Sequence, residues 1–106
     1  MQRDTSRSGT RDPGLLILAS LAAGPRHGYA MVEDIAAFGS ARLGPGTLYG
    51  ALARLEEAGL IEPLDADDRR RPYRITPAGR EVLGREIDAL ERVVLTVRDR
   101  IGEAAP

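Results

Sequence analysis

Three consecutive arginines at positions 69–71 follow three aspartates in the segment DADDRRRPYRIT, residues 65–76. Guanidinium groups bind phosphate through paired N–H donors, so these side chains could hold a polyanion if the fold separated them from the carboxylates. In a solvated turn the same charges would cancel, with the aspartates pairing with Arg69. Hydroxyl groups that can donate to phosphate oxygens stand elsewhere in the chain, on Tyr29, Thr47 and Tyr49.

The chain lacks the side chains on which most catalytic and metal sites depend. It has no cysteine and a single histidine, His27, so it offers neither a thiolate nucleophile nor an imidazole cluster. No paired carboxylates lie in an evident apolar pocket, and the GPG at 44–46 lacks the rest of a phosphate-loop pattern. We therefore expect no enzyme activity, no metal and no cofactor, and we expect His27 to stand at a helix start.

The composition indicates one small domain. A chain of 106 residues that is 42% hydrophobic can form one modest core. The longest apolar run, LLILASLAA at 15–23, is too short to span a membrane and is not preceded by a signal-peptide start, so we expect a cytoplasmic protein. The net charge of -1 argues against general attraction to nucleic acid. Whether the chain binds nucleic acid therefore depends on where its arginines lie.

Three short helices are predicted in the first half of the chain. Asp12 caps the first, Pro13 begins it, and its apolar residues surround so much of its circumference that it must be buried from more than one side. A second helix covers 28–38 and a third runs from Pro45 until Gly59 ends it. The buried residues expected on the second and third helices are Met31, Ile35, Phe38, Leu48, Leu52 and Leu55.

A hairpin and a long helix are predicted in the second half. LIEPL and PYRI form two short strands joined by the arginine segment, and Pro63 restricts the first strand to a sheet edge. The long helix begins at Pro77 with Thr76 as its cap. Its apolar residues follow the alternating spacings of four and three that are typical of a coiled-coil seam, at Leu83, Ile87, Leu90, Val94, Val97 and Ile101.

An apolar stripe of this length on a small domain normally marks an interface. We therefore expect a homodimer formed by the last helix, with the first helix joining the interface. The alternative is that the last helix folds back on its own domain. An effector, if the protein has one, would lie between the two subunits.

The order of elements predicts a mainly α (α+β) fold, a winged helix-turn-helix with a long C-terminal dimerisation helix. In that fold the third helix enters the major groove of DNA and the hairpin, or wing, reaches the backbone or minor groove. We divide the chain into a disordered tail (1–11), a DNA-binding domain (12–76) and a dimerisation helix (77–106). Arginines in the tail would form a minor-groove arm or remain solvated. They are Arg3, Arg7 and Arg11.

Residues 14–83 resemble the PadR-like family of transcriptional regulators through three phrases. These are HGY at 27–29, PGTLY at 45–49, and YRIT at 73–76 running into PAG. The resemblance implies a bacterial, dimeric, DNA-binding repressor that often controls its own operon and leaves DNA when a small molecule or another signal acts on it. In the short branch of the family, which this chain resembles in length, a single C-terminal helix makes the dimer.

The candidate contacts to a palindromic double-stranded operator combine the exposed third helix, its surroundings and the wing. Each contact on the helices and the loop has an alternative. Tyr29 would face the interior, Arg42 would be a solvated loop residue, and Arg54 would pair with Glu57. Tyr49 would pack partly against the hairpin, and Thr47 would only solvate the helix start. Acids at the end of the third helix should point out of the groove. The full set is Tyr29, Arg42, Thr47, Tyr49, Arg54, Arg70 and Arg71.

Two glycines depart from the pattern of the family. Gly44 stands where a small hydroxyl residue is usual, so the third helix loses a side-chain cap. Gly50 stands where a basic residue is common, so one expected DNA contact is missing. Together with the acidic isoelectric point of 5.8, Gly50 motivates an alternative function, that of a winged-helix adaptor or ligand sensor that binds proteins and has lost operator binding.

Overall fold

The computed structural model describes residues 12–39, 41–66 and 69–102. The predicted tail, 1–11, lies outside these residues. The described chain forms the expected winged helix, with four helices and a small antiparallel sheet in the predicted order. The elements are α1 (Pro13–Leu21), α2 (Gly28–Gly39), α3 (Pro45–Glu57), β1 (Ile61–Pro63), β2 (Tyr73–Ile75) and α4 (Pro77–Arg100). No helix in the described ranges combines the length and apolar character that crossing a bilayer requires.

Helix α1 lies at the centre of the core, as its apolar circumference predicts. It packs against α2, α3 and α4, and Ile17 is completely buried. None of its large apolar side chains is exposed in the single chain. Leu15 and Leu18 nevertheless border a shallow depression beside Val82 of α4, so the part of α1 in a dimer stays a prediction. The buried core cluster also takes in α2, α3 and both strands, through Met31, Ile35, Leu48, Ala51, Leu52, Leu55, Ile61 and Ile75.

The prediction that Phe38 belongs to the core is wrong. Met31 and Ile35 are fully buried, but Phe38, which continues their row, is 50% exposed. The end of α2 instead meets α1 through its last residue, since a Cβ on Gly39 would stand 3.3 Å from Cδ2 of Leu16.

The predicted helix caps are present in the structure. Asp12 Oδ1 accepts from the backbone N of Gly14 at 3.1 Å, and Thr76 Oγ1 accepts from the backbone N of Gly79 at 3.0 Å. Gly44 is the cap residue of α3 and provides no side-chain hydrogen bond, as its lack of a side chain requires. The start of α3 therefore depends on the packing of the helix rather than on a side-chain cap.

The wing is anchored at its base to the segment before α2. Strands β1 and β2 pair antiparallel, with Ile61 opposite Ile75 and Pro63 opposite Tyr73. Tyr73 also pairs with Arg26, exchanging backbone hydrogen bonds of 2.9 and 3.2 Å, so the hairpin is held against the entrance of α2. This contact brings the wing arginines beside the first residues of α2.

Helix α4 begins in close contact with the turn between α3 and β1. Thr76 donates from its hydroxyl to the carbonyl of Gly59 at 2.7 Å, and Gly79 is packed directly on the carbonyl of Leu60. Val82 and Leu83 pack against the core one turn later. From position 91 to 100 every residue of α4 is exposed, so its second half leaves the domain.

Candidate nucleic-acid interface

Helix α3 presents a polar surface opposite its buried leucines. Leu48, Leu52 and Leu55 are buried, which turns Thr47 and Tyr49 outward as the spacing predicts. Tyr49 is 59% exposed. The hydroxyl-bearing residues therefore lie at the N-terminal end of α3, where backbone N–H groups without helical partners also point.

A cleft of about 320 Å³ separates the start of α2, α3 and the wing. Its described lining residues carry three guanidinium groups, three phenol hydroxyls and one imidazole, and they include no carboxylate. The lining residues are His27, Gly28, Tyr29, Tyr49, Arg69, Arg70, Arg71 and Tyr73. The three arginines of the segment thus share one surface. Of the three aspartates, Asp65 is exposed, and Asp67 and Asp68 lie outside the described residues.

The tip of the wing turns at Arg69, whose backbone has a φ of 73°. A non-glycine residue is uncommon in this left-handed region, so the turn is locally strained. Beyond it, Arg71 donates from Nη1 to the carbonyl of Leu64 at 3.0 Å. Part of the Arg71 guanidinium therefore closes the hairpin, and its other N–H groups remain directed to the surface.

His27 stands at the start of α2, as the sequence predicts, and it also touches the wing. Its Nδ1 atom accepts from the backbone N of Ala30 at 3.4 Å, while its Nε2 atom lies 3.3 Å from Nη1 of Arg70. Sequence reasoning missed the second contact, because nothing local connects two residues that are 43 positions apart. The three arginines lie outside the three family phrases, so the family pattern gave no signal for this contact either.

Tyr73 forms the inner wall of the cleft. Burial raises the pKa of its phenol, and the negative charge of Glu56 adds to the rise, whereas the nearby charge of Arg71 opposes it. The phenol therefore stays neutral to higher pH than an exposed tyrosine, so Tyr73 can act as a hydrogen-bond donor over a wide pH range.

A second polar group lies on the exposed face of α2. Tyr29 is 67% exposed. This excludes the interior position that the sequence left open as an alternative to a DNA contact. Close by, Arg42 donates from Nη2 to Glu33 at 2.7 Å. This hydrogen bond and the charge of Arg42 lower the pKa of the Glu33 carboxyl, and the same pairing raises the pKa of Arg42. Arg42 is thus occupied by Glu33 in the unbound chain.

Arg54 covers the surface of Gly50. Within the described part of the chain it makes no ion pair with Glu57, the partner that its sequence position allowed. Its Nη1 atom instead lies 3.5 Å from the position that a Cβ on Gly50 would take. A guanidinium therefore occupies the surface at position 50, where the chain itself has no basic side chain.

The second half of α4 exposes more apolar surface than the predicted heptad seam. Among the seam residues Ile87, Val94, Val97 and Ile101 are exposed, whereas Leu90 is half-buried and Leu83 packs against its own core. Two apolar residues outside the seam are exposed as well, Val93 at 57% and Leu95 at 66%. A shallow groove of about 410 Å³ runs along this face between Ala89, Arg92, Val93, Thr96 and Val97.

An outward-facing third helix beside an arginine-lined hairpin, followed by an exposed apolar helix, defines a winged helix-turn-helix protein of the type found among transcription factors. Residues 17–85 match the model of the transcriptional regulator PadR-like family. The chain belongs to this family, whose members are transcriptional regulators and not enzymes. PadR regulators bind DNA and are typically dimeric.

Individual relatives agree with this assignment. The chain is 40% identical over 98 residues to the transcriptional regulator Rv3488 of Mycobacterium tuberculosis, covering 90% of this chain and 88% of the relative. It is 51% identical over 84 residues to an uncharacterized 37.1 kDa protein in transposon Tn4556 of Streptomyces fradiae, covering 79% of this chain but only 24% of that protein. A transcriptional regulator from Clostridium thermocellum superimposes with a TM-score of 0.77 at 27% identity, over 92% of this chain and 97% of that one.

Proposed function

We propose that this chain is a sequence-specific DNA-binding repressor that acts as a homodimer. The observation that carries the proposal is the cleft between α3 and the wing, where Tyr49 of α3 and three arginines share one surface that includes no described carboxylate. Membership of the PadR-like family supports the same function.

Thr47 and Tyr49 carry the reading of the major groove. They stand in the first turns of α3, the part of a recognition helix that reaches base edges and phosphates. Glu56 and Glu57 stand at the opposite end, where the phosphates would repel them, so this end points out of the groove. The helix therefore enters the groove with its N-terminal half.

The remaining contacts position the protein on the DNA backbone. Arg70 and Arg71 neutralise phosphates from the wing, and Arg54 does so across Gly50. Tyr29 and Arg42 reach the backbone from α2 and the loop that follows it. Arg42 must first leave Glu33, so it strengthens binding less than a free arginine would.

The dimer forms through the exposed part of α4. An uncovered apolar helix face of this kind normally marks an interface. The contact uses Ile87, Leu90, Val94, Val97 and Ile101, joined by the exposed Val93 and Leu95. Leu83 supports the interface from the core of its own domain. Two copies related by a twofold axis would place their α3 helices in successive major grooves, about 34 to 36 Å apart, on a palindromic operator.

Repression would follow from occupancy of an operator upstream of the protein's own gene. A signal that changes the dimer changes the spacing of the two α3 helices and releases the DNA. The groove on α4 is the place where a small molecule could act in this way, because it lies on the surface that we assign to the dimer. The chemical identity of that signal does not follow from the groove.

The decisive experiment is a fluorescence anisotropy titration with duplex DNA from upstream of the protein's own gene. We expect the affinity for this DNA to exceed that for a scrambled duplex by at least about a thousandfold at physiological salt, the lower end of the range for specific binders. Equal affinities would refute the proposal. Capture of a stoichiometric protein partner, together with absence of DNA binding, would favour the adaptor function instead.

The dimer is tested separately by sedimentation of the full chain. We expect the wild type to sediment as a dimer and V94D to sediment as a monomer, because a charge on the apolar face would be buried without a partner. R85A is the matched control on the same helix, since Arg85 forms an exposed ion pair with Glu81. A monomeric wild type would overturn the dimer.

A further inference from the structure

The contact between His27 and Arg70 sets two hydrogen-bond donors against each other. Nδ1 of His27 accepts from the backbone N of Ala30, and an accepting ring nitrogen has no proton, so the neutral ring carries its proton on Nε2. Nε2 lies 3.3 Å from Nη1 of Arg70, and a guanidinium group has donors only. The pair is therefore unfavourable as it stands.

No other protonation state of the ring removes the conflict. If the proton is on Nδ1, Nε2 can accept from Arg70, but Nδ1–H then faces the N–H of Ala30. If the ring carries both protons, both contacts are between donors and the charge of Arg70 adds repulsion. The favourable arrangement has an acceptor placed between His27 and Arg70.

Among the described residues, none that lines the cleft provides that acceptor. The described lining contains no carboxylate, and the flanking wing residues are Arg69 and Arg71. None of the three lining tyrosines bonds to the imidazole or to the guanidinium. An anion seated between His27 and Arg70 would satisfy both donors at once.

We infer that this cleft binds one phosphate of the DNA backbone, held by Nε2–H of His27, the guanidinium of Arg70 and the hydroxyl of Tyr49. One phosphate group has enough acceptor oxygens to satisfy all three donors. The inference rests on the proposed function and adds His27 to the DNA-contacting residues. It also gives the wing and α2 a shared ligand, so that DNA joins them.

Two substitutions of His27 separate its two hydrogen bonds. In H27N the amide oxygen can still accept from the N–H of Ala30, because asparagine is a preferred cap residue, but the shorter side chain does not extend to Arg70. In H27Q an amide N–H can take the place of Nε2–H, while the cap is lost. Thermal unfolding of both variants verifies that they fold.

We expect H27N to bind operator DNA roughly three- to tenfold more weakly than the wild type, the loss of one hydrogen bond. H27Q should bind more tightly than H27N, although it lacks the cap. Combining H27N with R70A should weaken binding by less than the product of the two single effects, because both residues hold the same phosphate. Wild-type affinity of H27N, or equal losses in H27N and H27Q, would overturn the inference.

A spectroscopic measurement follows the site directly, because His27 is the only histidine in the chain. Long-range ¹H–¹⁵N spectra of the imidazole should show the proton on Nε2 in the free protein and a shift of that signal on adding operator duplex. The shift should be lost in R70A. Inorganic phosphate is titrated in parallel, and a shift with phosphate but none with DNA would assign the cleft to a free oxyanion and overturn the assignment to the backbone.

The two proposals fail in distinguishable ways. If the wild type binds its upstream DNA specifically and H27N binds equally well, only the phosphate site is wrong. If the wild type shows no preference for that DNA, the proposed function is wrong, and the phosphate titration still decides whether the cleft binds oxyanions.

Discussion

The hydroxyl of Tyr49 lies 3.3 Å from the position that a Cβ on Gly28 would occupy. The contact joins two of the three phrases that identify the family, since Gly28 is the centre of HGY and Tyr49 ends PGTLY. The glycine at the start of α2 thus lets the recognition-helix tyrosine lie across it. The position of Tyr49 in the cleft depends on the absence of a side chain on its neighbour.

This contact predicts that G28A weakens DNA binding more than it weakens the fold. The added methyl group would meet the exposed Tyr49 side chain, which can move, and also Cδ2 of the buried Leu48 at 3.3 Å, which must shift slightly. Alanine favours helix by up to about 1 kcal/mol over glycine, which offsets the cost of that shift. We expect an unfolding midpoint close to that of the wild type and a lower operator affinity. Anisotropy and thermal unfolding measure the two effects, and a large loss of stability with unchanged affinity would contradict the prediction.

The wing arginines should determine the salt dependence of binding. Each phosphate that an arginine neutralises contributes about 0.9 to the slope of log affinity against log salt. R70A should therefore lower the slope by about 0.9 per subunit. R71A should lower it similarly and also loosen the hairpin, because Arg71 holds the carbonyl of Leu64. R85A is the control. An unchanged slope in both wing variants would show that neither arginine contacts a phosphate.

Release of Arg42 from Glu33 should strengthen DNA binding. In E33Q the carboxylate charge is gone, so Arg42 becomes available to a backbone phosphate and one source of repulsion disappears. We expect a higher affinity and a steeper salt slope, both of which R42A reverses in the double variant. Stability should change little, because the pair is exposed. If E33Q raised the affinity by the same factor in the R42A background as in the wild type, only the lost repulsion would be acting, and Arg42 would not contact DNA.

Two glycines of α4 should respond in opposite ways to alanine. A Cβ on Gly79 would overlap the carbonyl oxygen of Leu60, so G79A must push α4 away from the α3–β1 turn and should destabilise the fold by about 3 kcal/mol. Gly84 has nothing within 4 Å of a Cβ, so G84A should stabilise the helix by up to about 1 kcal/mol. Urea unfolding of both variants tests this, and a neutral G79A would contradict the close packing.

Tyr73 should make the fold sensitive to alkaline pH. Burial raises the pKa of this phenol above its ordinary value of 10.0 in the folded chain. The contribution of the neutral phenol is complete below pH 10 and is lost as pH rises through the folded pKa, because the unfolded chain loses its proton first. Urea unfolding below and above pH 10 should therefore show a steeper loss in the wild type than in Y73F. Y29F, which changes an exposed ring, is the control and should retain the wild-type slope.

Local chemistry accounts for what the sequence determined by itself. Helix starts follow from Asp12, Pro45 and Thr76, and the buried face of α3 follows from its leucine spacing, because caps and periodicity involve residues within a few positions of one another. The three family phrases, taken in their order along the chain, also predict the order of the helices and strands. The same reasoning places Thr47 and Tyr49 outward, because residues that do not lie on the buried leucine face of α3 must lie on its exposed face.

The tertiary structure alone decided which distant side chains meet. His27 lies against Arg70, Arg42 is held by Glu33, and Arg54 covers Gly50 instead of pairing with Glu57. These contacts depend on the angles at which whole elements pack and on the rotamers that remain open, and no short sequence pattern encodes either.

Packing also reassigned apolar residues that share one helical period. Phe38 is exposed although it continues the row of Met31 and Ile35, and Leu83 packs against the core although it begins the α4 seam. A periodic pattern specifies which side of a helix is apolar. How many of the apolar residues are buried depends on how far the rest of the domain extends along that side. On α4 that surface ends after the first turns, and the apolar residues beyond it remain exposed.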